Sequence, residues 1–422
     1  MNKINFYSPI NILTFLFYLL PFALLTGPFI PDLILFFIIC IFLTTVIIRK
    51  EYKYLINKFS ILFLIFYLIL IICSIFSVDF IFSIQNSIVY IRFGLFALAT
   101  WFILDADEKI IKKFFYCLII AFLIALSSGY IQYYFGSNFF GIPQAESVRL
   151  TLPFNDRQIL GGYLSRLFPL VFALAITVIN PNRKYLYYVF ILMLLVLTDV
   201  LVYITGERTA LGLMLISSIT IIFLIKQFKF LRIISLILSF LIIIYFSYSN
   251  DAIKKRNIDT TLNQVGINLE DGSIGRINYF SPKHESMVIT SWNIFKSHPL
   301  TGSGPHTFRV ICDKDGYKAN DLSCSTHPHN IYFQLLAETG LLGFSFLLLA
   351  FFYVIFNLLG ILRALLLKRE ILVSDYQICL MTCFVLTLWP LLPTLSFFNN
   401  WINIIYYLPI GFFLHSLNSK HN

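Results

Sequence analysis

The sequence predicts an all-α, polytopic membrane protein with about 12 transmembrane helices and one large outward-facing loop that contains short helices. Three observations predict it. Of the 422 residues, 59% are hydrophobic and only 12% are charged, whereas soluble domains carry roughly 25% charged residues. A core of this length would still need a polar exterior, so lipid must be the solvent for most of the chain. Twelve apolar runs approach the ~20 residues needed to cross the hydrocarbon. The basic residues, finally, alternate from loop to loop.

Taken in order, the runs centre on residues 11–28, 32–48, 59–77, 87–104, 114–133, 158–179, 186–204, 209–225 and 232–248, then 331–358, 377–394 and 401–417. The first lacks a small-residue cleavage site and eleven more follow it, so it reads as a span and not as a leader. They divide the chain into a membrane bundle of spans 1–9 (1–248), an outer loop (249–330), and spans 10–12 with a short tail (331–422). With the N-terminus cytoplasmic, alternate loops hold Lys3; Arg49, Lys50, Lys53 and Lys58; Lys109, Lys112 and Lys113; Arg183 and Lys184; Lys226, Lys229 and Arg232; Arg363, Lys368 and Arg369; and Lys420, 17 of the 31 basic residues. The opposite short loops hold only Arg149, Arg157 and Arg208. Positive residues stay on the cytoplasmic side, which places both termini there. The net charge of +10 is thus a topology signal, and a nucleic-acid partner is not expected.

Five cysteines (Cys40, Cys73, Cys117, Cys379 and Cys383) lie in apolar runs as small packing residues. Cys312 and Cys324 lie in the outer loop, where thiols oxidise, and are expected to form a disulfide worth about 3 kcal/mol. The loop opens on a polar stretch, 249–275, that reads as irregular. From Ser281-Pro282 the pattern becomes a helix, with Ser as N-cap and Pro in the first turn, ended by His298-Pro299. Its broad apolar face, including Trp292, suits either the membrane surface or an ordinary packed loop helix.

Within the spans, Arg92, Arg166 and Asp199 are costly in lipid and should face the bundle interior. Glu338 is expected to hydrogen-bond a neighbouring span, and Gly340 and Gly343 to permit close helix packing. Before the tenth span comes Thr326-His327-Pro328-His329-Asn330. Two positions apart in extended backbone, His327 and His329 point the same way. A helix N-terminus beside His329 disfavours imidazolium, as a general base at neutral pH requires, and offers N–H groups to a phosphate. The pair admits three readings: a structural cap, a metal site lacking an evident third ligand among Asp313, Asp315 and Asp321, or a catalytic base.

The run His329-Asn330, nine residues, then Gly340-Leu341-Leu342-Gly343 resembles the signature of the O-antigen ligase/polymerase family of polytopic glycosyltransferases. His298-Pro299-Leu300-Thr301-Gly302-Ser303-Gly304-Pro305 is similar to that family's loop turn, and Gly206-Glu207-Arg208-Thr209-Ala210 to its short Arg motif. Arg149-Leu150-Thr151 with Gly161-Gly162-Tyr163 is similar to a weaker family pattern. The likeness covers roughly 145–345. Where many members place an Arg at the start of the loop helix, this chain has His284, so Arg276 or Arg309 would have to supply that cation.

The resemblance implies transfer of a glycan from undecaprenyl-diphosphate to an acceptor hydroxyl, on lipid A-core or another glycan, at the periplasmic face of the bacterial inner membrane. His329 would act as base, supported by His327, His284 and Asn330. Arg208, with Arg149, Arg157 or Arg309, would bind the diphosphate by charge-assisted hydrogen bonds. For Arg208 the plainer alternative is snorkelling to lipid phosphate. The expected partners are the lipid-linked glycan, the acceptor and membrane lipids. No nucleotide, cofactor or metal is implied, because the polyprenyl diphosphate stores the leaving-group energy. A polymerase using the same donor is the nearest alternative; a twelve-span transporter or flippase fits less well, since no half-to-half repeat is visible.

Overall fold

The computed structural model describes residues 8–144, 149–179, 185–267 and 280–418. Lys3, Arg183, Lys184, Arg276 and Lys420 lie outside the described residues. Each of the twelve apolar runs contains a helix. These are α1 (Pro9–Ala23), α2 (Phe29–Arg49), α3 (Lys58–Ile75), α4 (Phe80–Ile88) running into α5 (Ile91–Ala106), α6 (Lys109–Phe135), α7 (Leu160–Val178), α8 (Tyr185–Ile204), α9 (Arg208–Leu224) and α10 (Lys229–Ser249). The outer loop holds α11 (Asp251–Lys254), α12 (Thr260–Val265), α13 (Pro282–Ser297) and α14 (Phe308–Ile311), and the chain ends in α15 (Ile331–Leu366), α16 (Asp375–Leu388) and α17 (Asn400–Asn418). Among the described residues, nine helical stretches are long and apolar enough to cross a membrane, and α9 and α16 are shorter apolar helices. In a bilayer, backbone groups must be satisfied within the chain, which is why runs this apolar fold as helices.

Side chains set many of the ends. Asn57, Asp79 and Ser374 accept backbone N–H groups at the starts of α3, α4 and α16, as N-cap residues do. The bundle closes by pairing distant helices: α5 packs on α17, α7 on α16, and α8 on α10. Polar ties cross it, including Trp401 Nε1 to the Leu24 carbonyl at 2.8 Å.

The ionisable residues inside the spans find partners. Arg232, counted above with a cytoplasmic loop, instead lies in the first turn of α10 and is fully buried. It grips Asp199 with two guanidinium nitrogens, at 2.6 and 3.0 Å, and Ser235 and Ser239 complete the network. Breaking such a pair leaves an uncompensated charge in low dielectric, which explains why the polar residues occur together. Arg166 is buried as expected. Arg92 is only partly so, and bonds Asp32 at 3.3 Å and Asn400 at 2.6 Å.

Two expectations about α15 change. Gly340 is not a packing residue in a continuous helix: its φ of 58° breaks the helix, a conformation that suits glycine. The outer loop fills the break. Ser303 N–H donates to the Ala337 carbonyl and Gly304 N–H to that of Glu338, both at 2.9 Å, and Leu341 N–H donates to the Pro299 carbonyl at 2.9 Å. A Cβ on Gly340 would collide with the Leu300 carbonyl. Glu338, fully buried, bonds the loop and its own helix, accepting the Phe308 N–H at 2.9 Å and the Gln334 amide at 3.0 Å. The loop is thereby stitched to the N-terminal part of α15.

Candidate active site

Asn330 directly precedes α15, and its Oδ1 accepts the N–H groups of Tyr332 at 2.9 Å and Phe333 at 3.3 Å. Its amide nitrogen donates to the Pro390 carbonyl at 2.7 Å. Asn330 thus caps α15 and ties it to the segment after α16. Asn330→Ala is expected to cost about 1 kcal/mol of stability, measurable as a lower unfolding temperature in detergent, and to reduce transfer by loosening the neighbouring histidine.

His329 has a left-handed backbone, φ 55°, which turns the chain sharply into the helix. Its carbonyl accepts the Thr394 N–H at 2.7 Å. The His327 and His329 rings lie 4.1 Å apart, and His284, in the first turn of α13, stands 5.5 Å from His329. His284 reaches this place because Ser281 caps α13 and bonds the imidazole Nδ1 at 2.8 Å. The site departs from the resemblance where expected, since the α13 position next to His329 carries an imidazole and not a guanidinium.

Burial is the main reason these histidines hold protons weakly. His329 is lowered to about 4, with repulsion from His284 and Lys283 adding to burial and a backbone hydrogen bond to Thr394 opposing it. His327 is lowered to about 3 by burial, His329, Arg309 and His306. For His284 the shift is also downward, from burial, Lys283 and Arg208. The imidazoles are therefore neutral at neutral pH, and the cations around them reinforce that state.

Arg208 opens α9, and its guanidinium donates to Gln264 Oε1 at 2.6 Å. Beside it, Glu207 accepts the N–H groups of Gly161 at 2.7 Å and Gly162 at 3.0 Å, at the N-terminus of α7. Two motifs far apart in sequence meet at this point. A Cβ on Gly161 would stand 2.6 Å from Thr205 Oγ1, so the small residue is what allows the approach. Burial pushes the Glu207 carboxyl up to about 7, against the pull of the Gly161 N–H, Arg166, Arg149 and the Gly162 N–H. Gln132 of α6 holds the third motif segment, accepting the Thr151 N–H and donating to Thr151 Oγ1, each at 2.8 Å. Arg149 is thereby brought close enough to Arg208 to repel it.

Sequence reasoning missed a third cation. The stretch read as irregular contains α11, a π-helical turn and α12, started by Asn250 capping Ala252 and Ile253. This stretch lies over the α8–α9 turn: Arg256 Nε donates to the Gly206 carbonyl at 2.9 Å and the Asn257 amide to that of Tyr203 at 2.8 Å. Arg149 and Arg208 both repel Arg256 and, after burial, lower its proton affinity. Arg149, Arg166 and Arg256 thus all act on the Glu207 carboxylate, with Arg208 next to it in the chain, and the excess of positive charge attracts a multiply charged anion. The chance to detect Arg256 lay in its basic run, Lys254-Lys255-Arg256, but nothing in the sequence placed that run beside Gly206.

The remaining candidates separate. Arg309 is exposed on α14, and its charge is felt by His306 and His327. Arg157 is exposed and its guanidinium bonds none of the described residues. Among the described residues, no three His, Cys, Asp or Glu side chains converge as a metal site. Cys312 and Cys324 are joined, with Cα atoms 5.0 Å apart. The ring they close ends just before Ser325, which lies 3.5 Å from His329 Nε2. Replacing both cysteines by serine is expected to lower stability by about 3 kcal/mol, seen as a fall in unfolding temperature that dithiothreitol reproduces in the unmodified protein.

Residues 190–348 match the family model described as O-antigen ligase. This segment is an O-antigen ligase family domain. It includes Arg208, Arg256, His284, Arg309, His327, His329 and Asn330, and it leaves Arg149 and Arg157 outside. Comparison with curated proteins finds no match. The O-antigen ligase family is a glycosyltransferase-like enzyme family, and the nine helical stretches long and apolar enough to cross a membrane among the described residues agree with a multi-pass membrane protein. In this segment the His motif and the Arg motif approach each other through His284, which lowers His329 and is itself lowered by Arg208.

Proposed function

We propose that the protein transfers a glycan from undecaprenyl-diphosphate to a hydroxyl of lipid A-core, on the periplasmic side of the inner membrane, with both termini cytoplasmic. The observation that carries this reading is the placement of neutral His329 beside His284, whose imidazole also feels the charge of Arg208 from the Arg208, Arg149 and Arg256 group. An acyl- or phosphoryl-type nucleophile is not required. His329 removes the proton of the acceptor hydroxyl as its oxygen attacks the anomeric carbon. The bond from that carbon to the diphosphate oxygen breaks, and undecaprenyl diphosphate departs with the electron pair. Guanidinium groups stabilise the charge that grows on the leaving group, which is where preorganised cations contribute most. The sugar–diphosphate bond supplies the driving force, so the residues named are sufficient without a nucleotide. Arg256, at the Gly206 carbonyl, adds a cation beside Arg208 and Arg149.

The test is a deletion strain. Loss of long-chain lipopolysaccharide with accumulation of undecaprenyl-linked long chains supports the ligase. Lipopolysaccharide capped with single repeats would indicate a polymerase instead, and lipid-linked repeats held on the cytoplasmic side would indicate a flippase. Purified protein that transfers glycan normally after exhaustive chelation supports His329 as base; activity lost on chelation and restored by a divalent ion would point to the metal reading.

A further inference from the structure

A cavity of about 430 Å³ lies between α6, α7 and α8, far from the histidines. Its lining comes from residues 112–119 of α6, 171–179 of α7 and 187–195 of α8. These are the first turns of α6 and α8 and the last of α7, so all three helices place it at the end of the bundle opposite to the α8–α9 turn and Arg208. By the positive-inside distribution this is the cytoplasmic half of the membrane.

The floor is apolar and well packed, with Phe115, Phe172, Ala175 and Leu195 all buried. The rim is aromatic and open, with Tyr116 47% and Tyr187 44% exposed. Among the described residues, Lys112 is the single charged side chain in the lining, and it is exposed; the acidic Asp107 and Glu108 lie before α6, outside the lining. From Lys112 to Ile119 the groove runs about 10 Å along α6, roughly a third of the hydrocarbon thickness.

We propose that this groove is a binding site for an anionic glycerophospholipid, one acyl chain lying against Phe115, Phe172 and Ala175 and the phosphate held by Lys112. A basic residue at the mouth of a cleft between spanning helices on the cytoplasmic side is the arrangement that captures anionic headgroups. The groove's length suits part of one acyl chain, and Lys112 at its rim suits an anionic headgroup. An undecaprenyl carrier, with a much longer chain, fits it less well. The site is separate from the transfer chemistry and would make the enzyme sensitive to the charge of the inner leaflet.

Purified full-length protein, washed in mild detergent and incubated with equal amounts of phosphatidylglycerol and phosphatidylcholine, tests this by native mass spectrometry. The wild type is expected to retain phosphatidylglycerol preferentially. Lys112→Gln should weaken that retention about fivefold, and Ala175→Phe, which fills the floor, should abolish it while the protein stays monodisperse. Should Ala175→Phe fail to fold, the Lys112→Gln result decides alone. Equal retention of the two lipids by the wild type, unchanged retention in Lys112→Gln, or preferential retention of undecaprenyl phosphate when that lipid is added, would each overturn the proposal.

Discussion

His329→Ala is expected to lower glycan transfer about 10²- to 10⁴-fold, the contribution of a positioned general base. The variant should still fold, because the bond that anchors this residue runs from its backbone carbonyl to the Thr394 N–H. Alanine is disfavoured at the left-handed φ of 55°, however, and asparagine is tolerated there. His329→Asn therefore separates the two effects: it should recover stability and remain inactive. Near wild-type lipopolysaccharide ladders in the Asn variant would dismiss His329 as base.

The pH dependence follows from the same residue. With its proton affinity lowered to about 4, His329 is a competent base across the neutral range, and kcat/KM should fall only as pH drops towards 4. An anionic donor offsets the repulsion from Lys283 and His284, so protonation becomes easier in the complex. The acid limb of kcat should then lie at higher pH than that of kcat/KM. Stability has its own sign. Between the ordinary histidine value of about 6.5 and the folded value, the unfolded chain binds a proton that the folded chain does not, so stability declines as pH falls through this window and levels off below it. A kcat/KM profile with its acid limb near 6.5 would mean that the working imidazole is not this buried one.

Arg208→Ala should reduce kcat/KM by about 10²- to 10³-fold, comparable to removing one preorganised donor from a developing anion. Arg208→Lys is the sharper variant. Lysine keeps the charge but not the planar fork, and it also gives up the contact geometry that Gln264 now receives at 2.6 Å. Activity should recover only part of the way, with weaker inhibition by added undecaprenyl diphosphate. Wild-type kinetics and inhibition in Arg208→Lys would reduce Arg208 to an anchor for α12.

The parts of the site legible in the sequence were those written in short motifs. His329-Asn330, Glu207-Arg208 and Gly161-Gly162 each carry their meaning within a few residues, because a cap, a helix start and a close backbone approach are local events. Arg256 was not legible: it lies fifty positions beyond Gly206, and only tertiary packing brings it there. Arg232 shows the converse difficulty. At the edge of an apolar run a cation reads as a loop residue, and the buried Asp199 that draws it inward is 33 positions away. Composition and periodicity located the helices well, since lipid leaves the backbone few alternatives. They gave no warning of the break at Gly340, which depends on what docks against it.

That break has a consequence for anyone wishing to move the site elsewhere. The backbone partners of Ser303, Gly304 and Pro299 belong to Ala337, Glu338 and Leu341, on the membrane side of any boundary drawn at residue 330. A soluble fragment ending there would leave its histidine segment without these three fastenings, and antibodies raised against it would recognise shapes the intact protein does not present. The histidine segment with these fastenings runs from Ser281 through Leu342, carrying about three turns of α15 with it.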